Sequence, residues 1–228
     1  GSSVVAIGDN KTERSIATPE DSVKADASPV RCLDKETEED MKAAIDEAGA
    51  AGETLGGVFE VAVFGAPVGL GSYAHWDRRL DAALARALMS VPAVKGVEIG
   101  DGFDLAVRPG SEAHDEIAYS KERGFFRATN RSGGLEAGMT NGSVIRLRAA
   151  MKPIPTLGKP LMTVDVISKE PAEAISERSD VCAVPAASVI GESVVAIEIA
   201  EALLAKFGGD SLEETKRNFK SYTEGASA

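Results

Sequence analysis

The sequence has few of the residues that usually mark a site. There are two cysteines, two histidines and one tryptophan in 228 residues, and aromatic side chains make up 5%. Cys32 and Cys182 stand far apart and unaccompanied. That excludes a disulfide framework and a zinc spacing, and it points to a reducing, cytoplasmic setting. His75 precedes a helix and His114 lies in a His-Asp-Glu triplet. Each reads as a surface or helix-start residue, and no metal site is expected. No apolar run reaches the length of a membrane span. No basic stretch leads into an apolar one at the start, so no secretory signal is expected. Positive charge is in deficit: 25 basic side chains face 36 acidic ones, a formal net charge of −11. Such a chain is a poor candidate for binding nucleic acid, and no such partner is expected, because phosphate contacts drive that binding. An anionic ligand must instead meet a local cationic pocket. Internal repeats and low-complexity tracts are absent too.

What is there reads as runs of strand and helix that do not alternate strictly, which predicts an α+β fold over a doubly wound sheet. A strand at Val4–Gly8 opens the chain, as expected for the middle of something longer. Residues 9–33 read as a flexible loop with one turn of helix after Thr18-Pro19. Asp34 caps a helix with Met41, Ala44, Ile45 and Ala48 on one face. Gly56–Phe64 is rich in Val and Phe and reads as a strand, followed by a loop at Gly65–Ser72. Trp76, Leu80, Leu84, Leu88 and Val91 make the stripe of a second helix, which Pro92 stops. Val94–Ile99 is a further strand. Gly100–Asn141 has little periodicity and reads as a long loop. Val144–Met151 alternates, with Arg146 and Arg148 opposite Ile145 and Leu147. Leu161–Ile167 is a last strand. Ala186–Phe207 is apolar nearly all round and reads as a buried helix. Asp210 caps an amphipathic helix at Leu212–Tyr222, and the tail 223–228 reads as frayed. The whole is read as a single domain, 1–228.

Three segments could carry chemistry. Asn130–Gly142 is glycine-rich and flanked by Arg127 and Arg131. Such backbone approaches a ligand closely and offers N–H groups to an anion, and the arginines supply forked donors. Composition alone reads equally well as a surface hairpin. It is neither a Walker loop nor a dinucleotide fingerprint. Lys152-Pro153-Ile154-Pro155-Thr156 holds a lysine and a hydroxyl at a fixed separation, or simply makes a rigid strand connection. Glu177–Pro185 puts Arg178 and Asp180 ahead of the most apolar helix. Arg178 could hold an anion and Asp180 could act as a base; equally, the two could form a salt-bridged helix cap.

Taken in order, these segments resemble the chorismate synthase family. The matching stretches are Thr54–Gly71, Trp76–Asp77, Met89–Phe103, His114–Ile117, Thr129–Gly142, Arg148–Thr156, Arg178–Ala187 and Lys206–Ser211. They cover most of residues 34–215. Ala137 and Ser188 stand where many members have glycine. The family's N-terminal part, with its Gly-Glu-Ser-His-Gly motif and a second catalytic histidine, has no counterpart here, so the chain is expected to be a truncated, C-terminal portion. The resemblance implies a β-α-β sandwich, helices between two antiparallel sheets, assembled as a homotetramer when full length. It implies conversion of 5-enolpyruvylshikimate 3-phosphate to chorismate with reduced FMN, and NADPH as reductant in bifunctional members. Flavin contacts would be Pro92, Ala93, Ala137, Lys152, Pro153, Ile154, Pro155, Thr156 and Arg178. Asp180 would manage a proton near flavin N5, and Arg131 would contact the substrate anion. The other class of reading is a non-catalytic flavin-binding or oligomerising fragment.

Overall fold

The computed structural model describes residues 1–176 and 180–226. The elements in chain order are β1 (Ser2–Ile7), β2 (Asn10–Lys11), α1 (Pro19–Asp26), α2 (Lys35–Ala50), β3 (Gly57–Val63), α3 (Leu80–Met89), β4 (Val94–Ile99), α4 (Gly110–Ala113), β5 (Ile117–Ser120), β6 (Gly124–Arg127), β7 (Leu135–Glu136), β8 (Met139–Thr140), β9 (Ile145–Met151), β10 (Met162–Val164), β11 (Pro171–Glu173), α5 (Val184–Phe207) and α6 (Leu212–Ala226). Strands β2-β1-β3-β9-β4 form one five-stranded sheet, and β5–β6, β7–β8 and β10–β11 are separate antiparallel pairs. The fold is mixed α+β.

The chain divides into two compact units. One holds 1–60, 92–96 and 149–189; the other holds 61–91, 97–148 and 190–228. In the first, Val4, Ile7, Ile16, Met41 and Phe59 are fully buried. Glu60 is buried among them and accepts the Ile16 N–H at 3.2 Å. In the second, Leu70, Leu84, Leu88, Ile145 and Leu147 are fully buried. Each such side chain contributes about 1.5–3 kcal/mol on leaving water. The alternation expected along β9 is present: Ile145, Leu147 and Ala149 are buried, while Arg146 and Arg148 are only half-buried.

Several expectations need correction. Residues 9–33 are not a flexible loop with one helical turn: Asn10–Lys11 pairs with β1, α1 makes two turns over Pro19–Asp26, and Ile16, Ala25, Val30 and Cys32 are buried. The last helix runs on past Tyr222 to Ala226. The segment 100–141 is not one loop: it contains a 3-10 turn at Gly102–Val107, α4 and two hairpins. Periodicity misses these because each element is four residues or shorter, apart from the turn. Trp76 does not join the α3 stripe; it sits in a separate 3-10 turn, 82% exposed, because extended backbone at Arg79 intervenes before the helix starts. Only Met162–Val164 of the expected strand at Leu161–Ile167 pairs, with β11. Finally, α5 is not buried all round. It buries Val184, Ala187, Val195, Ile199 and Phe207, yet Ile197 is 59% and Leu204 60% exposed. Apolarity sets what can be covered; among the described residues nothing covers this face.

Of the two expected helix caps, Asp34 holds and Asp210 does not: the Glu214 N–H donates to the Ser211 hydroxyl at 3.2 Å, while the Asp210 N–H itself donates to the Glu214 carboxylate at 2.8 Å. Asp34 accepts the Thr37 N–H at 2.9 Å and the Thr37 hydroxyl at 3.0 Å, closing the first turn of α2. Replacing Asp34 with Ala is expected to cost about 1 kcal/mol. Urea unfolding would show it as a lower midpoint at unchanged slope; an unmoved midpoint would contradict the capping role.

Candidate functional site

In the first unit, Lys152–Thr156 follows directly from β9, and Pro92-Ala93 leads into β4. The Lys152 N–H donates to the Ala93 carbonyl at 3.0 Å, so two of the expected segments meet. Ala93 has left-handed backbone, φ 68°. A non-glycine residue there is strained, and such strain collects at ligand sites. The other flank is fixed by Thr54, whose hydroxyl donates to the Ile154 carbonyl at 2.7 Å. Gly56 lies so close that a Cβ on it would sit 2.3 Å from the Met151 carbonyl oxygen. Lys152 is exposed, and among the described residues its ammonium makes no ion pair. The arrangement leaves a cation on a stiff strand exit, free to meet an anion.

Asp180 belongs to the same unit and is exposed. The next residue, Val181, accepts the Leu55 N–H at 2.8 Å, and Cys182 bridges to Leu55. Asp180 does not cap α5: the helix's first bond runs from the Ala187 N–H to the Ala183 carbonyl. Arg178 lies outside the described residues. Cys182 is half-buried, and both cysteines are free thiols. Burial pushes the Cys182 thiol up.

In the second unit the glycine-rich stretch is an ordered loop. Asp115, 8% exposed, sits just before β5 and reaches across the base of the β5–β6 hairpin. Its Oδ1 accepts from the Thr129 hydroxyl and, at 2.8 Å, from the Arg131 N–H; its Oδ2 accepts the Ser132 N–H at 2.9 Å. Burial pushes the Asp115 carboxyl up, but the bonds from Thr129, Ser132 and Arg131 outweigh this and hold it below the ordinary aspartate value of 3.8. Its stabilisation is therefore full above that ordinary value and is lost as pH falls through the lowered one.

The main chain closes the loop from the other side. The Asp101 N–H donates to the Arg131 carbonyl at 2.8 Å, and the Gly100 N–H to the Arg146 carbonyl at 3.0 Å. A Cβ on Gly100 would lie 2.0 Å from the Arg131 carbonyl oxygen, and one on Gly133 would lie 2.3 Å from the Gly100 nitrogen. Only glycine permits this approach. Arg127 pairs with Glu136. Arg131 makes no side-chain bond or ion pair among the described residues. Past it, Ala137 (φ 51°) and Gly138 (φ 81°) form the two-residue turn of the β7–β8 hairpin. Turns of this kind need positive φ at both positions. The Gly138 carbonyl accepts the Leu80 N–H at 2.9 Å, and Thr140 exchanges bonds with Leu70, which anchors the turn.

A cavity of about 460 Å³ in the second unit is lined by Arg78, Arg86, Glu198, Glu201 and Lys206, among others. None of the residues expected to touch the flavin lines it.

Comparison with known proteins decides the family. The family model described as chorismate synthase matches residues 1–204. The chain belongs to the chorismate synthase family. It is 56% identical over 211 residues to the chorismate synthase of Pseudarthrobacter chlorophenolicus, covering 92% of this chain and 53% of that protein. To the Geobacter metallireducens chorismate synthase it is 57% identical over 229 residues, covering 97% of this chain and 58% of that one. A solved structure titled as a crystal structure of chorismate synthase matches with TM-score 0.83 and 45% identity, over 100% of this chain and 63% of that chain. The chain thus has the chorismate synthase fold and spans about half the length of the curated relatives it matches.

Membership explains the order of the segments but not every residue in them. Ser188, where glycine is frequent, is fully buried, and its hydroxyl donates to the Pro185 carbonyl at 2.7 Å. Nothing local in the His-Asp-Glu triplet marks Asp115 as special. Its partners lie 14 to 17 residues away, beyond any local pattern. Ala137 is the departure with a measurable consequence. Replacing it with Gly is expected to stabilise the chain by about 1 kcal/mol, the left-handed penalty less the entropy glycine brings to the unfolded state. A thermal midpoint that fell instead would contradict the turn geometry.

Proposed function

We propose that these residues are the C-terminal part of a single-domain chorismate synthase. The full-length protein would catalyse anti-1,4-elimination of phosphate from 5-enolpyruvylshikimate 3-phosphate, giving chorismate with no net redox change. The observation that carries this reading is the pairing of Lys152 with Ala93 through one backbone bond, within a chain that matches the family over residues 1–204. The lysine whose charge is unspent is the one the resemblance assigns to the flavin phosphate.

The residues fit reduced FMN on two counts. The stretch Lys152, Pro153, Ile154, Pro155 and Thr156 joins a cation and a hydroxyl on proline-stiffened backbone, which suits a phosphate. Ala93 and Ala137 hold left-handed backbone, where only a small side chain leaves main chain open to a flat ring. Reduced FMN, when bound, supplies electron density to the substrate ring as phosphate leaves and takes it back. Lys152 and Thr156 would hold the FMN phosphate, and Pro92, Ala93 and Ala137 would pack against the flavin. Arg178 would lie near flavin and substrate anion, and Asp180 would handle the proton at N5. Arg131 would meet the substrate's anionic groups. Cationic donors fixed before reaction cost nothing to reorganise as the phosphate departs.

The same reading makes the protein a cytoplasmic homotetramer, with NADPH as reductant only if it is a bifunctional member. The purely flavin-binding or oligomerising alternative is not favoured, since relatives at 56% and 57% identity carry the enzyme's name. The 228 residues alone are expected to give no turnover, because they span about half of such relatives.

The test is a full-length protein containing this chain, assayed for chorismate with reduced FMN and 5-enolpyruvylshikimate 3-phosphate. Turnover is expected. Lys152→Ala should weaken FMN binding about tenfold or more, the loss of one charge-assisted phosphate contact. Absence of chorismate would refute the function, and unchanged FMN affinity would remove Lys152 from the site.

A further inference from the structure

Arg131 is held unusually well for a residue in an irregular loop. Its N–H is taken by Asp115 Oδ1 at 2.8 Å, and its carbonyl by the Asp101 N–H at 2.8 Å. The next amide, of Ser132, is taken by Asp115 Oδ2 at 2.9 Å, and the hydroxyl of Thr129, two residues before, bonds Oδ1. Gly100 presses against the same peptide unit. The main chain on both sides of Arg131 is therefore fixed before any ligand arrives. Its guanidinium, by contrast, has no partner among the described residues. The nearby Arg127 is spent on Glu136.

The carboxylate of Asp115 puts its bonds into backbone N–H groups and a hydroxyl, not into the guanidinium. A salt bridge would have neutralised Arg131. This arrangement fixes the backbone from which the guanidinium extends and leaves its charge available. Binding to a preset cation avoids the cost of ordering the loop at the moment of association. We propose that Asp115 is a positioning residue that presets Arg131 for an anionic group of the substrate, its phosphate or a carboxylate. The inference rests on the reading of Arg131 as a substrate contact.

The experiment is steady-state kinetics on the full-length protein with reduced FMN and 5-enolpyruvylshikimate 3-phosphate, on Asp115→Asn, Arg131→Ala and the double variant. The asparagine keeps the shape but turns an amide donor toward one of the three donors it must accept from. Asp115→Asn should raise KM about tenfold with kcat within about twofold. Arg131→Ala should raise KM at least as much, and the double variant should be no worse than Arg131→Ala alone. Thr129→Val removes one donor from the clamp and should raise KM about threefold; it decides the matter if Asp115→Asn does not fold. Effects that multiply, a fall in kcat at constant KM, or Thr129→Val with unchanged KM would overturn the positioning role. An unchanged KM in Arg131→Ala would instead sink the substrate contact on which the role depends.

Discussion

The arrangement rests on a contact that side chains do not make. At Gly100 and Gly133 two stretches of main chain approach so closely that a methyl group on either would overlap a backbone atom. That approach delivers the turn after β4 to the start of the glycine-rich loop. Asp115 then seals the loop from the opposite side by accepting two amides and a hydroxyl. Buried backbone donors demand partners. Here one carboxylate meets that demand where no strand or helix could. The ordering of residues 129–133, and with it the backbone of Arg131, follows from these two features; the turn at Ala137 is anchored separately, by Leu80 on Gly138 and Leu70 on Thr140.

The same logic runs through the first unit on a smaller scale. Gly56 presses on Met151–Pro153, Thr54 holds the Ile154 carbonyl, and Ala93 accepts from Lys152. Small residues admit the approach, prolines stiffen the strand exit, and a lysine is left with its charge unspent. In both units the backbone is fixed by contacts that do not consume the cation. That is what the proposed anion contacts would require in a protein whose net charge is −11.

Elements with local signatures were legible in the sequence. Asp34 announces α2, alternation announces β9, and Val94–Ile99 is bounded as the pattern implies. The family was legible from segment order, since Lys152–Thr156 and Arg178–Ala187 each admit a plain structural reading but together do not. The interior of 100–141 was not legible, because strands of two to four residues have no period to detect. Asp115 was hidden for a different reason: its role is defined by groups far along the chain. Nor could the apolar pattern of α5 reveal that Ile197 and Leu204 stand exposed, since composition fixes a side chain's preference and not its neighbours.

Backbone amide exchange across residues 128–142 probes the closing of the glycine-rich loop most directly. Slow exchange is expected at Arg131 and Ser132, comparable with the central strand β9, because both amides donate to the buried Asp115 carboxylate that also binds Thr129. Exchange at the rate of an unstructured chain at those two amides would contradict the account.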